Sequence, residues 1–138
     1  MQTIEQLVDV LRQGGGRITP QRIAVLEAIS GNETHPTVED VFDKVSKNQP
    51  MLSLKTVYQI VNELDAMGAV SLIDIGTGKI RIDPFIEEEH DHFVCTNCDC
   101  VYDVKRARKI QQKQLMDFGK VDKTEVIYKG ICTSCNCK

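Results

Sequence analysis

Apolar residues recur at three- and four-residue spacing through the first half of the chain, and at two-residue spacing beyond it. Ile4, Leu7, Val8 and Leu11 predict a helix over 3–13, which Gly14-Gly15-Gly16 stops. Thr19-Pro20 opens a second helix, with Thr19 as N-cap and Pro20 at the first helical position, where a missing N–H costs nothing. Ile23, Val25, Leu26 and Ile29 follow, and Gly31-Asn32 ends that segment. His35-Pro36-Thr37 leads into a third helix, with Val38, Val41, Phe42 and Val45 inward and acidic residues on the outer face. Ser53 caps a fourth over 53–67, whose apolar set is Val57, Ile60, Val61, Leu64 and Met67; Gly68 closes it.

The period then changes. Val70, Leu72, Ile73 and Ile75, followed by Ile80 and Ile82, flank Gly76-Thr77-Gly78 and predict a β-hairpin. Three packed helices followed by a hairpin is the plan of a winged helix-turn-helix domain, here 1–83, with 53–67 in the recognition position and the hairpin as the wing. The acidic stretch from Asp83-Pro84 to Glu89 reads as a connector, leaving 84–138 as a small α/β domain. Its expected elements are strands at 92–95 and 100–104, a basic helix over 105–118 and a strand over 121–129. The fold class is therefore α+β.

Cysteine spacing changes the picture of that second domain. Cys95/Cys98 and Cys132/Cys135 are two Cys-x-x-Cys pairs, the arrangement that supplies four thiolates to a tetrahedral Zn²⁺. A domain of about 55 residues with a small apolar core needs such a staple. The N-terminus lacks the basic-then-apolar order of a signal peptide, and no apolar run is long enough to span a membrane. A cytoplasmic protein is expected, in which cysteines serve metals rather than disulfides. Cys100 and Cys137 each follow a pair after one residue. They read either as spectators or as thiols open to alternate ligation, or to oxidation that ejects zinc.

The chain has three histidines, and two of them, His90 and His92, alternate onto one face of a strand beside the first cysteine pair. With His35, Asp83 and Asp103 they would make a second, different site. Three imidazoles and two carboxylates suit Fe²⁺, Mn²⁺ or Zn²⁺. Each histidine taken singly is equally an ordinary surface or helix-entry residue.

Charge gives little encouragement to nucleic-acid binding. The net charge is −3, whereas nucleic-acid binders usually carry a basic footprint. DNA contact must rest on local placement. Lys55, Thr56, Tyr58 and Gln59 lie near the start of the recognition helix, where base edges are met, and Lys79 and Arg81 on the wing could hold phosphates. A zinc-stapled metallohydrolase is the remote alternative, since an open metal position activates water, but no further His or Glu stands ready as a base. An iron–thiolate electron carrier would leave the helical half without a role.

Thr19-Pro20-Gln21-Arg22, His35-Pro36-Thr37, Ser53-x-x-Thr56-Val57-Tyr58, His90-x-His92-x-x-Cys95-x-x-Cys98, Asp103 and Gly130-x-Cys132-x-x-Cys135 together resemble the ferric uptake regulator (Fur) superfamily over nearly the whole chain. The resemblance implies a homodimeric, metal-dependent repressor of transcription that binds double-stranded operator DNA and is not an enzyme. It implies structural zinc on Cys95, Cys98, Cys132 and Cys135. It also implies a regulatory site for Fe²⁺ or Mn²⁺ on His35, Asp83, His90, His92 and Asp103, and adds Arg22 to the DNA-facing residues. Aspartate at position 83 is similar to the peroxide-sensing branch, in which iron-bound peroxide oxidises a ligand histidine, matching His35 or His90. The other branch senses iron level without that oxidation. Lys123-Thr124-Glu125 stands where some members place a further metal-binding histidine. Lys55 and Gln59 depart from the common alanine and arginine, which implies a different operator preference.

Overall fold

The computed structural model describes residues 2–86, 88–106 and 115–136. The chain divides into two compact units, Met1–Glu88 and Glu89–Lys138, so the division falls at the far end of the 84–89 connector.

In the N-terminal unit the helices are α1 (Ile4–Gln13), α2 (Pro20–Ile29), α3 (Val38–Ser46) and α4 (Leu54–Ala66). Each begins at a hydroxyl cap: the side chains of Thr3, Thr19, Thr37 and Ser53 accept from the amides of Gln6, Arg22, Asp40 and Thr56, satisfying N–H groups that the first turn leaves unpaired. Gly68, at φ +69, takes the left-handed conformation that ends α4. Leu7, Leu11, Leu26, Ile29, Ile60 and Leu64 are fully buried between the helices, with Ile82 of the hairpin among them. The hairpin pairs β1 (Ser71–Asp74) with β2 (Ile80–Asp83), Ser71 opposite Asp83 and Asp74 opposite Ile80. Gly76 and Gly78 sit at φ +83 and +81 in its loop, so the turn depends on residues free of a Cβ. This is a winged helix-turn-helix.

The α3 cap is reciprocal. Thr37 Oγ1 accepts from the Asp40 amide at 3.0 Å and Asp40 Oδ2 accepts from the Thr37 amide at 2.9 Å. Partial burial of the Asp40 carboxyl works against ionisation, but the Thr37 amide and hydroxyl, with Arg81 and Lys79 nearby, outweigh it and lower its pKa. A lowered folded-state pKa contributes stability above the unfolded value, which is lost as pH falls through the folded one. Thr37→Ala is expected to cost about 1 kcal/mol in thermal unfolding at neutral pH. Asp40→Asn should lose less stability than the parent between neutral pH and the acid side of the carboxylate range; identical acid profiles would rule this out.

The C-terminal unit is a three-stranded sheet in the order β4-β3-β5, where β3 is His90–Cys95, β4 Val101–Lys105 and β5 Ile127–Gly130. β4 runs antiparallel to β3, with His92 opposite Asp103, and β5 runs parallel to it, with Cys95 opposite Gly130. A short helix, α5 (Thr133–Asn136), follows. The units thus join a helical bundle with a wing to a small mixed α/β layer, and the class is α+β.

Three expectations change. The first strand starts at His90, two residues before the predicted start, because His90 and Asp91 already pair with Lys105 and Val104. Lys105 belongs to β4 rather than to the start of a helix. The predicted helix over 105–118 otherwise falls largely on 107–114, outside the described residues, and Leu115–Gly119 form a turn. The predicted strand over 121–129 pairs only from Ile127, since β3 offers β5 just its last four positions, His92–Cys95.

Candidate metal centres and candidate nucleic-acid interface

Cys95 ends β3, and the chain folds back at once: the Asp99 amide donates to the Cys95 carbonyl at 2.9 Å and the Cys95 amide to the Cys100 carbonyl at 3.0 Å. Asp99 holds φ +58 to close this knuckle. The second knuckle is the start of α5, where the amides of Cys135 and Asn136 donate to the Cys132 carbonyl at 3.1 and 2.8 Å. The parallel β3–β5 ladder brings the knuckles together. All four sulfurs lie within 4.8 Å of one another, and Cys98 Sγ is 3.9 Å from Cys132 Sγ. A tetrahedron with Zn–S bonds of about 2.3 Å has sulfurs about 3.8 Å apart, so the residues fit zinc.

Electrostatics point the same way. The Cys132 amide donates to Cys95 Sγ at 3.3 Å and, with the amides at 97 and 98, holds the Cys95 pKa down near 6. Cys132 is lowered chiefly by the Cys135 amide. Cys98 receives the Cys100 amide, yet the adjoining sulfurs of Cys100 and Cys95 push its pKa up. Four sulfurs this close cannot all ionise without a cation among them, which a divalent metal supplies. Cys100 is exposed at the rim of this cluster; Cys137 lies outside the described residues.

The histidines fall into two sets, one in each unit. In the N-terminal unit, β2 lies along the segment that precedes α3: the Ile82 amide donates to the Pro36 carbonyl at 2.9 Å. Arg81 Nη1 donates to the His35 carbonyl at 3.1 Å. This places His35 Nε2 3.7 Å from Asp83 Oδ1, with both side chains 1% exposed. Asp83 Oδ1 also accepts from the Phe85 amide at 2.9 Å. In the C-terminal unit, His90 Nε2 and His92 Nε2 lie 3.3 and 3.5 Å from the same oxygen, Asp103 Oδ1. Their rings meet edge to face, 4.8 Å between centroids. Two imidazoles and a carboxylate converging on one point is a chelating set for a first-row divalent ion.

Sequence reasoning missed Asp91. It is the residue between these histidines, facing the opposite side of β3, and it is buried. Arg106 Nε and Nη2 reach its Oδ1 at 2.8 and 2.7 Å, a charge-assisted pair that raises the Arg106 pKa.

On α4, Lys55 and Gln59 are exposed, while Thr56 and Tyr58 are half-buried. Thr56 Oγ1 shares a hydrogen bond with the Ser53 hydroxyl at 2.9 Å, and the Tyr58 hydroxyl donates to Glu39 Oε1 at 2.6 Å, which raises the Tyr58 pKa. Lys79 is exposed on the wing. Two residues expected to face DNA are occupied within the unit. Arg22 grips Glu63 of α4 with two nitrogens at 2.5 and 3.3 Å, and the Arg81 guanidinium is on His35.

A winged helix joined to a thiolate cluster and carboxylate-paired histidines defines a metal-responsive regulator of transcription. The chain belongs to the ferric uptake regulator family, whose sequence pattern matches residues 13–136. Members of that family are homodimeric DNA-binding repressors that use zinc, iron or manganese, and they are regulators rather than enzymes. The peroxide-responsive repressor PerR of Staphylococcus aureus is 30% identical over 139 residues, covering 98% of this chain and 93% of that protein. Among solved structures, the Helicobacter pylori ferric uptake regulator, described as having three functional metal-binding sites, is similar with a TM-score of 0.77 at 20% identity, over 98% of this chain and 95% of that one. PerR from Streptococcus pyogenes, solved for peroxide sensing and gene regulation, gives 0.56 at 27% identity over 98% and 94%. No helix among the described residues is long and apolar enough to cross a membrane.

Proposed function

We propose that this chain is a cytoplasmic, homodimeric repressor that binds operator DNA when a divalent metal is bound, and that senses peroxide through oxidation of His35 or His90. The observation that carries the reading is the pairing of every histidine with a carboxylate: His35 with Asp83, and His90 and His92 with Asp103. Neither set alone offers more than three donors, and the five together would suit Fe²⁺ or Mn²⁺. Cys95, Cys98, Cys132 and Cys135 hold structural zinc. The peroxide-responsive relative at 30% identity supports the choice of signal.

A divalent cation held by His35, Asp83, His90, His92 and Asp103 would meet part of the ordering cost of DNA binding in advance. In the dimer, two α4 helices then match successive major grooves about 34 Å apart. Lys55, Thr56, Tyr58 and Gln59 address base edges and Lys79 the phosphates, while Arg22 and Arg81 act by holding α4 and His35 in place. Bound ferrous iron would supply the one-electron chemistry that activates peroxide beside its ligands. An oxidised imidazole is a poorer donor, so His35 and His90 would release their share of the site and free the operator.

The test is to load zinc-replete protein anaerobically with Fe²⁺, add a small excess of H₂O₂ and read peptide masses. One added oxygen on the His35 or His90 peptide, absent from an Mn²⁺-loaded control, is expected. Unmodified histidines in protein that holds Fe²⁺ would instead assign the chain to reversible sensing of iron level.

A further inference from the structure

We infer that Arg106 is a positioning residue for the metal-binding histidines of β3, acting through Asp91. This rests on the assignment of His90 and His92 to the regulatory metal and adds a residue which that assignment does not contain.

The need for it follows from strand register. β5 pairs with β3 only from His92 onward, where the His92 amide donates to the Val126 carbonyl at 3.1 Å. His90 and Asp91 therefore extend past the β5 ladder, and among the described residues their strand pairing is with Lys105 and Val104 of β4. Strand ends fray, and fraying here would swing His90 away from Asp103.

Arg106 directly follows β4 and holds the start of β3 through side-chain bonds. Besides the Asp91 bonds, Nη2 reaches the Thr124 carbonyl at 3.5 Å and Nη1 reaches Glu89 Oε2 at 3.0 Å. One guanidinium thus ties the start of β3 to the segment that leads into β5. The Asp91 contact dominates: the Arg106 and Asp91 side chains are 11% and 7% exposed, whereas Glu89 is 86% exposed and its bridge is screened. Asp91 faces away from His90 and His92 because neighbours alternate across a strand. The pair can therefore hold the strand backbone that carries both imidazoles without competing for the ion.

The experiment measures Mn²⁺ affinity, the electron paramagnetic resonance spectrum of bound Mn²⁺, zinc content and melting temperature in full-length Arg106→Gln, Arg106→Lys and Asp91→Asn, with His92→Ala as control. Arg106→Gln and Asp91→Asn are expected to keep their zinc and their fold, to bind Mn²⁺ about 10–100-fold more weakly, and to give an altered spectrum. Arg106→Lys should recover part of the affinity. Parental affinity and spectrum in Arg106→Gln, with affinity lost in His92→Ala, would overturn this inference alone. Parental affinity in His92→Ala would overturn the site assignment and the inference with it. Loss of zinc and fold in both Arg106→Gln and Asp91→Asn would make the pair purely structural and likewise overturn it.

Discussion

Serine in place of Cys132 should abolish zinc retention and unfold the C-terminal unit while the N-terminal helices stay intact. Cys132 is 6% exposed, and its amide donates to Cys95 Sγ, so it is both a proposed ligand and the point where the two knuckles meet. The described buried core of that unit is small: Val94, Cys95, Val101 and Cys132. Structural zinc contributes on the order of 10 kcal/mol or more to such units, well above what a core of this size supplies. Metal analysis and circular dichroism of Cys132→Ser, beside chelator-treated parent, provide the check. A variant that keeps one zinc per chain and the parental melting curve would refute the assignment.

His35→Ala has the second large effect expected, of the opposite kind. The imidazole is one of five proposed donors and belongs to a unit whose hydrophobic core is built from other residues. Zinc content and helix content should be unchanged, whereas Mn²⁺-stimulated operator affinity should fall at least about 10–100-fold to the metal-free level. Fluorescence anisotropy on labelled operator, with and without Mn²⁺, reads this directly. Undiminished stimulation would sink the proposed regulatory site.

What the sequence made legible was local. Thr19-Pro20 and Ser53 announce helices because capping acts within three residues, and Gly76 and Gly78 announce the hairpin because only a residue without a Cβ turns so cheaply. The cysteine pairs are legible because ligand spacing within a knuckle is short. What escaped joins distant positions. Arg22 finds Glu63 41 residues away and Arg106 finds Asp91 15 residues away, pairings that only the packed chain decides. For that reason Arg81 read as an arm for phosphate, and Arg22 as DNA-facing, where the fold engages both guanidiniums within the unit. The start of β5 was misplaced on the same ground, since the length of a strand is set by its partner as much as by its own alternation.

His35 holds φ +51, a left-handed conformation that costs a residue with a Cβ about 1–2 kcal/mol. Glycine there would relieve the backbone even as it removed the imidazole, so His35→Gly is expected to melt above His35→Ala, which loses the same buried side chain and keeps the strain. Chaperones and proteases act on the unfolded fraction and not on ligand geometry. A cell would therefore keep the glycine variant at higher abundance than the alanine one, although both have lost the same imidazole.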